Sequence, residues 1–498
     1  MNRLQTLLCA FVVIIAGFGA RDAHAAEVSG SLELRWGDAS PQAANRRGQF
    51  TATLVTDAGQ RLPLDPAQAR KAAGNLYALA NKRVTASLTA GSGMDLYRID
   101  RLRPEMHTND ASTNAVLGTT VWATIACKFA DSATEQKPIS FFQSQYANTP
   151  GLLDHYWREV SYDKINLTGS TAYGWFTLPH PRSYYVSGSA NLNALFDDCT
   201  AAADAQVNYA ANGGLQGINM MFNGDLDGFA WGGGRCAVLD GVNKCWSTTW
   251  NPPWAFNNLA PLAHEMGHGY GLPHANNSDG DTDPYDNPWD VMSDAWNNAT
   301  STANYGTLPK HINAYHRQQM GWIDAARRVD LAPTQSANGI VLDRASLRGS
   351  GNAQVIVVRV AGAATRYYTI EARRRVGNYD ANLAGDAVII HHVDTTRQTP
   401  AWSMDANVPP ADRANNEGSM FKPGETWTAP GGAFKVLVRA ATANGFIVSV
   451  CRPGKGLSGF CIPYAPGPYK PRAVSAASLP QPATHASMSP RRGMTGAP

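Results

Sequence analysis

Long apolar runs, cysteine pairs and charge are all scarce in this chain of 498 residues, and each shortage argues against a class of protein. The apolar run at residues 7–20 is too short to span a bilayer comfortably. No Cys-x-x-Cys pair occurs, which leaves a cysteine-based zinc site with little support. Charged residues are only 16% of the chain, and the net charge of +3 is too small to indicate a nucleic-acid partner.

The N-terminal apolar run has the features of an export signal. The segment MNRLQT before it carries one positive charge, and Ala23-His24-Ala25 after it has the small-x-small form that signal peptidase accepts. We therefore predict that residues 1–25 are a cleaved signal peptide and that the mature protein is secreted without a membrane association. An uncleaved anchor is the alternative interpretation.

Signal removal would also remove Cys9 and leave an even number of cysteines, which favours disulfides in an exported protein. Six cysteines permit fifteen pairings. Pairing the cysteines that are close in sequence predicts the bonds Cys236–Cys245, Cys451–Cys461 and, from the remainder, Cys127–Cys199.

The pattern of residues divides the mature chain into four segments. Low charge, 46 glycines and 30 prolines indicate a protein rich in loops and strands. Residues 26–112 form a small strand-rich region that could be a propeptide, although it has no cysteine with which to block a metal. Residues 113–325 alternate strands and helices, and 326–452 are nearly all strand. The fold class predicted is α+β, followed by a proline-rich tail at 453–498 that we expect to be disordered.

The segment HEMGHGYGLPH at residues 264–274 holds three of the twelve histidines of the chain. On a helix, His264 and His268 share a face because they are four residues apart, and Glu265 projects beside them. Gly271 can adopt the left-handed conformation and return His274 toward the same centre. Three neutral imidazoles would leave one tetrahedral position of Zn²⁺ open for water, which is typical of a catalytic site. Histidines placed by chance on a solvated loop are the competing interpretation.

This pattern, HExxHxxGxxH, is the signature of the metzincin zinc endopeptidases, which the chain resembles. The family has a methionine-bearing turn beneath the metal, and PWDVMSD offers Met292 for it. The phrases HYWREVSYDKINLTG, NAYHRQQMGWI and YYTIEARRRVGNYDANLAGDAVIIHHVD extend the similarity, from about 115 to 395, to the gametolysin-like and immune inhibitor A-like secreted peptidases.

The resemblance implies a metzincin-like catalytic domain, with a mixed sheet and an active-site helix, followed by a β-rich domain. It also implies a secreted zinc endopeptidase acting on protein or peptide substrates, which we expect to be a monomer. Its metal ligands would be His264, His268 and His274, and Glu265 would be the general base.

One departure from the family concerns the donor that stabilises the oxyanion. Some metzincins have a tyrosine two residues after the turn methionine, whereas this chain has Asp294. Tyr305 and Tyr315 are the nearest tyrosines that follow, and nothing in the sequence places either one at the metal. The donor is therefore unassigned.

Several other groups of residues have a structural and a functional interpretation. The acidic segment between His274 and Met292 is either a solvated loop or a Ca²⁺ site. A solvated loop is favoured, because the segment lacks the final glutamate of an EF-hand. The glycine-rich segment 229–248 is either a substrate-binding sheet edge stiffened by Cys236–Cys245 or a surface hairpin. The pairs His391/His392 and His311/His316 have the wrong geometry for shared ligation. The acidic loop has five aspartates: Asp279, Asp281, Asp283, Asp286 and Asp290.

Two other functions are compatible with the same residues. A secreted binding or adhesion protein could hold zinc without turnover, although the presence of Glu265 argues against it. A zinc amidase could hydrolyse a cell-wall crosslink instead of a protein. Substrate tests in the presence and absence of a chelator would separate these functions from that of an endopeptidase.

Overall fold

A computed structural model describes residues 26–43, 47–90, 97–105, 115–211, 214–408, 410 and 416–453. The predicted signal peptide lies outside the described residues, as do nearly all of the predicted tail and Cys461 of the third predicted disulfide. Within the described parts of the chain, no helix combines the length and the apolar character needed to cross a membrane.

The N-terminal region, residues 26–105, is a small sheet with one helix packed on it. Asp65 accepts a hydrogen bond from the Gln68 amide at 2.7 Å and so caps the helix, which ends before Gly74. This helix is short, and a 3₁₀ turn follows at Tyr77–Leu79. The elements are β1 (Ala26–Ala39), β2 (Gln49–Thr56), β3 (Arg61–Leu64), α1 (Pro66–Ala73), β4 (Arg83–Ala90) and β5 (Tyr97–Pro104).

The following region, up to about residue 325, contains a mixed sheet with helices on both faces. The elements are β6 (Gly118–Thr119), β7 (Trp122–Lys128), α2 (Ile139–Ser144), α3 (Leu153–Val160), β8 (Ile165–Asn166), β9 (Thr171–Thr177), α4 (Arg182–Tyr185), α5 (Leu192–Ala203), β10 (Gly217–Phe222), β11 (Phe229–Leu239), β12 (Val242–Asn251), α6 (Pro253–Phe256), α7 (Leu259–Gly269), β13 (Ala275–Asn277), β14 (Ser301–Thr302), β15 (Gly306–Thr307) and α8 (Ala314–Gln319).

Strands β9, β7, β10 and β12 are parallel, and β11 pairs antiparallel with β12. Side chains alternate along β7, so that Trp122 and Ala126 join the apolar cluster around α7 while Ile125 and Cys127 join the cluster around α5. Cys127 is bonded to Cys199 of α5, and Cys236 of β11 to Cys245 of β12. These two predicted disulfides are confirmed.

The C-terminal region is a pair of packed sheets around one apolar core. One sheet has the order β13-β21-β20-β19-β18-β16, and the other has the order β17-β24-β23-β22. The elements are β16 (Arg328–Leu331), β17 (Ala337–Asp343), β18 (Val355–Arg359), β19 (Arg366–Arg373), β20 (Ala387–Asp394), β21 (Ala401–Ser403), β22 (Thr426–Thr428), β23 (Lys435–Ala441) and β24 (Gly445–Cys451).

Strand pairing crosses the segment boundaries predicted from the sequence. Strand β1 of the N-terminal region pairs antiparallel with β11, which makes one sheet of both regions. Strand β13 begins directly after His274 and pairs in parallel with β21 of the C-terminal region. The α+β class is confirmed, and hydrogen bonds join all three regions around the predicted metal ligands.

Candidate metal centre

Helix α7 carries the first two predicted ligands and is buried along its whole length. It begins at Leu259, next to Asn258. The Asn258 side chain does not cap α7, because it accepts a hydrogen bond from the Thr307 amide instead. The helix lies directly on β11, and a side chain at Gly232 would place its Cβ 2.4 Å from the Glu265 carbonyl oxygen. The glycine in this strand therefore permits the close approach of α7.

The chain turns sharply after α7 and brings back the third histidine. Gly271 has a φ of 93°, as predicted, and a Cβ there would lie 2.9 Å from the Cβ of Ala80. The Leu272 amide donates to the Gly267 carbonyl at 2.9 Å, which closes the turn. His274 follows and is fixed in turn by β13, which starts at the next residue.

The Nε2 atoms of the three predicted ligands converge on one point. His264 and His268 are separated by 3.0 Å, His268 and His274 by 3.2 Å, and His264 and His274 by 3.3 Å between these nitrogens. The Nδ1 atoms of His264 and His268 each lie 2.6 Å from a backbone carbonyl, of Val291 and Leu272 respectively. A carbonyl accepts only, so each Nδ1 carries the proton and each Nε2 directs a lone pair at the centre.

This donor set fits a zinc ion. Zinc bound tetrahedrally at about 2.0–2.1 Å from each nitrogen would hold the ligands about 3.3 Å apart, close to the observed spacing. Burial, aided by the two neighbouring histidines, lowers the pKa of His268 to about 3, which keeps that ligand neutral. The three Nε2 atoms thus form a buried group of donors that could hold a metal ion.

Glu265 lies beside the histidines on the wall of an open cleft. Glu265 is 1% exposed as a residue, and its Oε2 has no hydrogen-bond partner among the described residues. Burial, followed by the nearby charge of Asp38, raises the pKa of Glu265 well above its usual value. The cleft is also lined by Trp254, Pro261 and Trp296. The Glu265 carboxyl thus lies at the wall of an open cleft beside the three histidines.

Met292 lies beneath α7. A Cβ at Gly267 would be 2.4 Å from the Met292 sulfur, so the glycine makes room for the methionine. The Met292 carbonyl accepts a hydrogen bond from the Ala275 amide at 3.2 Å, and the preceding carbonyl of Val291 holds His264. This segment therefore supports both His264 and the backbone that follows His274.

Asp38 was not predicted as a site residue, yet its carboxylate lies among the three imidazoles. Its Oδ1 is 2.6 Å from the Nε2 of His274 and 3.3 Å from that of His264, and its Oδ2 is 3.2 Å from that of His268. Burial alone would raise the pKa of Asp38, but these histidines, His274 foremost, hold it well below its usual range. The sequence contained only a weak signal for this residue. Asp38 lies in the region that we interpreted as a possible propeptide, but we considered only cysteine there as a residue that could block a metal.

Tyr285 is the second residue that sequence reasoning missed. Its hydroxyl donates to the Asp38 Oδ1 at 2.9 Å and accepts from the Ala39 amide at 3.2 Å. Its ring lies edge-on to His274, with the centroids 5.6 Å apart. Tyr305 instead contacts Ser144, and Tyr315 is buried in a separate apolar cluster. The tyrosine at the site precedes the methionine turn instead of following it.

The acidic loop and the other histidines have local structural roles. Successive aspartates of the loop accept hydrogen bonds from amides two residues further on, and the carboxylates of Asp279, Asp281 and Asp286 can approach within 4.8 Å of one another. Calcium binding stays a prediction.

His391 is buried and lies 3.2 Å from the Asn287 side chain, while His392 stacks on Tyr368. The remaining pair is also separated, since His311 contacts Glu159 and His316 contacts Asp290.

Comparison with known proteins agrees with the resemblance drawn from the motif. Residues 117–405 match the family model of the gametolysin peptidase M11. No curated protein matches the chain closely enough to count as a relative. A solved structure of catalytically inactive OgpA from Akkermansia muciniphila, in complex with an O-glycopeptide substrate, shares 10% identity over 69% of this chain and 96% of that chain, with a TM-score of 0.23 that carries no structural argument. Because the family model covers more than half of the sequence, the chain belongs to the gametolysin peptidase M11 family of metallopeptidases.

Proposed function

We propose that this metallopeptidase is a secreted zinc endopeptidase of the metzincin type that hydrolyses peptide bonds of extracellular proteins. The observation that carries the proposal is the convergence of three Nε2 atoms within 3.3 Å of one another beside the unpartnered carboxylate of Glu265. His264, His268 and His274 are the metal ligands in this proposal. A zinc ion held there would supply Lewis acidity and lower the pKa of a water to roughly 7.

Glu265 acts as the general base and then as the acid. Its carboxyl is adjacent to His264 on α7, where it would take a proton from the attacking water and return it to the leaving amine. The carboxyl is held beside His264 by α7 and gains no competing hydrogen bond among the described residues. This freedom leaves Oε2 available for proton transfer.

Tyr285 is the proposed donor to the oxyanion. Its hydroxyl lies 2.9 Å from an oxygen, Asp38 Oδ1, that itself contacts two of the histidines. A substrate oxygen in that position would receive the same hydrogen bond. Such a donor is already oriented before the reaction and stabilises charge as it develops.

Strand β11 is the proposed binding edge for the substrate backbone. It borders the sheet of the catalytic region, and α7 packs against its inner side. An extended peptide can add to such an edge as a further strand. The Cys236–Cys245 bond joins β11 to β12 and would keep the edge rigid. The tryptophans of the cleft would accept an apolar side chain next to the cleaved bond.

The test compares the mature protein with a Glu265→Gln variant. Both proteins are purified from the culture medium and compared with the same N-terminus, as checked by sequencing, and casein and gelatin cleavage are measured with and without a chelator. We expect stoichiometric zinc in both proteins and a loss of about 10²–10⁴-fold in rate for Glu265→Gln, because the ligands remain while the base is removed. Glu135→Gln, at an exposed carboxyl paired with Lys128, is the matched control and should cleave normally.

Each contrary result points to a specific alternative. A zinc-containing protein that has lost residues 26–105 and still cleaves no protein substrate would favour the binding or adhesion function, or the amidase if cell-wall peptides are cleaved. Folded protein without stoichiometric metal, or cleavage that survives the chelator, would reject the zinc enzyme.

A further inference from the structure

The fourth donor at the metal centre comes from the N-terminal region. Strand β1 ends at Ala39, and the residue before its end, Asp38, reaches all three histidines. A carboxylate with three imidazoles completes a four-donor set of the kind that tetrahedral zinc accepts. Such a set leaves no place for the water that peptide hydrolysis needs.

The same strand also covers the edge on which the substrate is proposed to bind. Residues 35–39 of β1 pair antiparallel with residues 229–233 of β11. A Cβ at Gly233 would lie 2.2 Å from the Leu34 carbonyl oxygen, so β11 is shaped to receive a backbone at close range. A peptide cannot add to this edge while β1 occupies it.

Several contacts of β1 hold it against the catalytic region. The Arg35 guanidinium donates to the Gly234 carbonyl at 2.9 Å and to the Asn193 side chain at 2.8 Å. Glu33 pairs with Arg35 at 2.5 Å and accepts a hydrogen bond from the Cys236 amide at 2.9 Å. These charges are buried and mutually satisfied, which makes the position of the strand specific.

The rest of the N-terminal region is attached at two further places. The Asn81 side chain donates to the Gly269 carbonyl at the end of α7, at 3.2 Å. The Tyr77 hydroxyl donates to the Gln398 carbonyl at 2.7 Å, and the Thr395 hydroxyl donates to the Gly74 carbonyl at 2.5 Å. The region thus contacts the catalytic helix, the sheet edge and the C-terminal sheets together.

We propose that residues 26–105 are an intramolecular inhibitor in which Asp38 is the fourth metal ligand and β1 fills the substrate-binding edge. This inference rests on the proposed peptidase function and identifies how that site is kept latent. Displacement or removal of this region uncovers the edge, frees the fourth ligand position and leaves the Tyr285 hydroxyl free to bind a substrate oxygen.

The experiment measures zinc release, a property independent of turnover. The chain from residue 26 onward carries Glu265→Gln, so that it cannot process itself, and intact mass confirms that residues 26–105 are present. Asp38→Ala and the isosteric Asp38→Asn are added, and zinc transfer to an excess of chromogenic chelator is timed. We expect transfer to become at least about tenfold faster, because losing even an outer partner of a ligand costs 10–100-fold in affinity. The visible spectrum of the cobalt-substituted chain should also change.

A second variant leaves every donor in place. Gly37 lies against Trp231, whose ring would be 2.7 Å from a Cβ at this position. Gly37→Val should therefore lift β1 from β11 and speed zinc transfer as well. Asp100→Ala is the control, since Asp100 is a carboxylate on β5 that pairs with Arg98 at the far edge of the sheet. It should release zinc at the wild-type rate.

Cleavage assays with Glu265 restored complete the test. We expect the intact chain to cleave casein poorly and Asp38→Ala and Gly37→Val to cleave it well. Equal zinc release and equal cleavage by the wild type and both variants would overturn the inhibitor while leaving the peptidase intact. Faster zinc release without cleavage by any form would uphold Asp38 as a ligand and reject the peptidase.

Discussion

The indole of Trp36 lies flat on the imidazole of His268, with ring centroids 4.7 Å apart and planes inclined by 4°. Trp36 belongs to β1, and it also packs against Phe50 and Tyr77 of its own region. One side chain therefore joins the core of the N-terminal region to a predicted metal ligand. A substitution that weakens the packing of this core should therefore also change the position of His268 at the candidate metal centre.

Trp36→Ala should activate the intact chain. Truncating a buried tryptophan costs about 3–5 kcal/mol, which would weaken both the N-terminal core and its contact with His268. Hydrogen exchange should increase across residues 26–105, and casein cleavage should rise. Trp427→Ala makes a similar truncation in the C-terminal core, where Trp427 is 6% exposed, and should not activate the protein. Equal activation by both variants would show that general destabilisation, not release of β1, exposes the site.

Tyr285→Phe should lower kcat without removing the metal. The change is made in the Asp38→Ala background, so that β1 no longer competes for the hydroxyl. Removing one donor to the transition-state oxygen should reduce kcat by about 10²-fold, with KM and zinc content nearly unchanged. Tyr305→Phe serves as the control because its hydroxyl contacts Ser144, away from the histidines. A selective rise in KM would instead assign Tyr285 to substrate binding.

Acidification should destabilise the fold through His391. Burial is the main cause that lowers the pKa of this histidine from 6.5 to about 3; the charge of Asp290 opposes it, and Arg373, His316 and Arg317 add to it. Below pH 6.5 the unfolded chain binds a proton that the folded chain does not, so stability falls as the pH drops toward 3. The loss from this one group at pH 5 is about 2 kcal/mol.

Urea unfolding between pH 7 and pH 5 measures this effect. His391→Gln keeps a side-chain group that can accept a hydrogen bond from Asn287, but it removes the imidazole that titrates. The free energy of unfolding should therefore depend less steeply on pH. An unchanged slope in that variant would contradict the assignment to His391.

Arg373→Ala should destabilise the protein and loosen the methionine turn. The Arg373 guanidinium binds both carboxylate oxygens of Asp380, at 2.8 and 3.0 Å, and also donates to the Trp289 carbonyl just before the turn. Leaving Asp380 buried without its partner costs about 3–5 kcal/mol. Urea unfolding should detect this loss, and zinc should dissociate faster. Arg366→Ala, at an exposed position of the same strand, is the control.

The close spacing of the motif made part of the candidate site predictable. The proposed ligands lie within eleven residues, so helix geometry and one glycine turn are enough to bring His264, His268 and His274 together. The Cys236–Cys245 bond joins strands connected by a short turn and could be predicted for the same reason. By contrast, the segment boundaries at 112 and 325 stay predictions, since sheets cross both.

The sequence by itself determined helix α7, its turn and the proximity of three imidazoles and a carboxylate, because these depend on residues that are neighbours in the chain. Only the tertiary structure placed Asp38 against His274, 236 residues away, and against Tyr285, 247 residues away. Those contacts arise from the pairing of β1 with β11 and of β13 with β21, and no local periodicity encodes the partner of an edge strand. The proposed catalytic residues are thus local in the sequence, whereas their proposed inhibition by β1 depends on the assembled sheet.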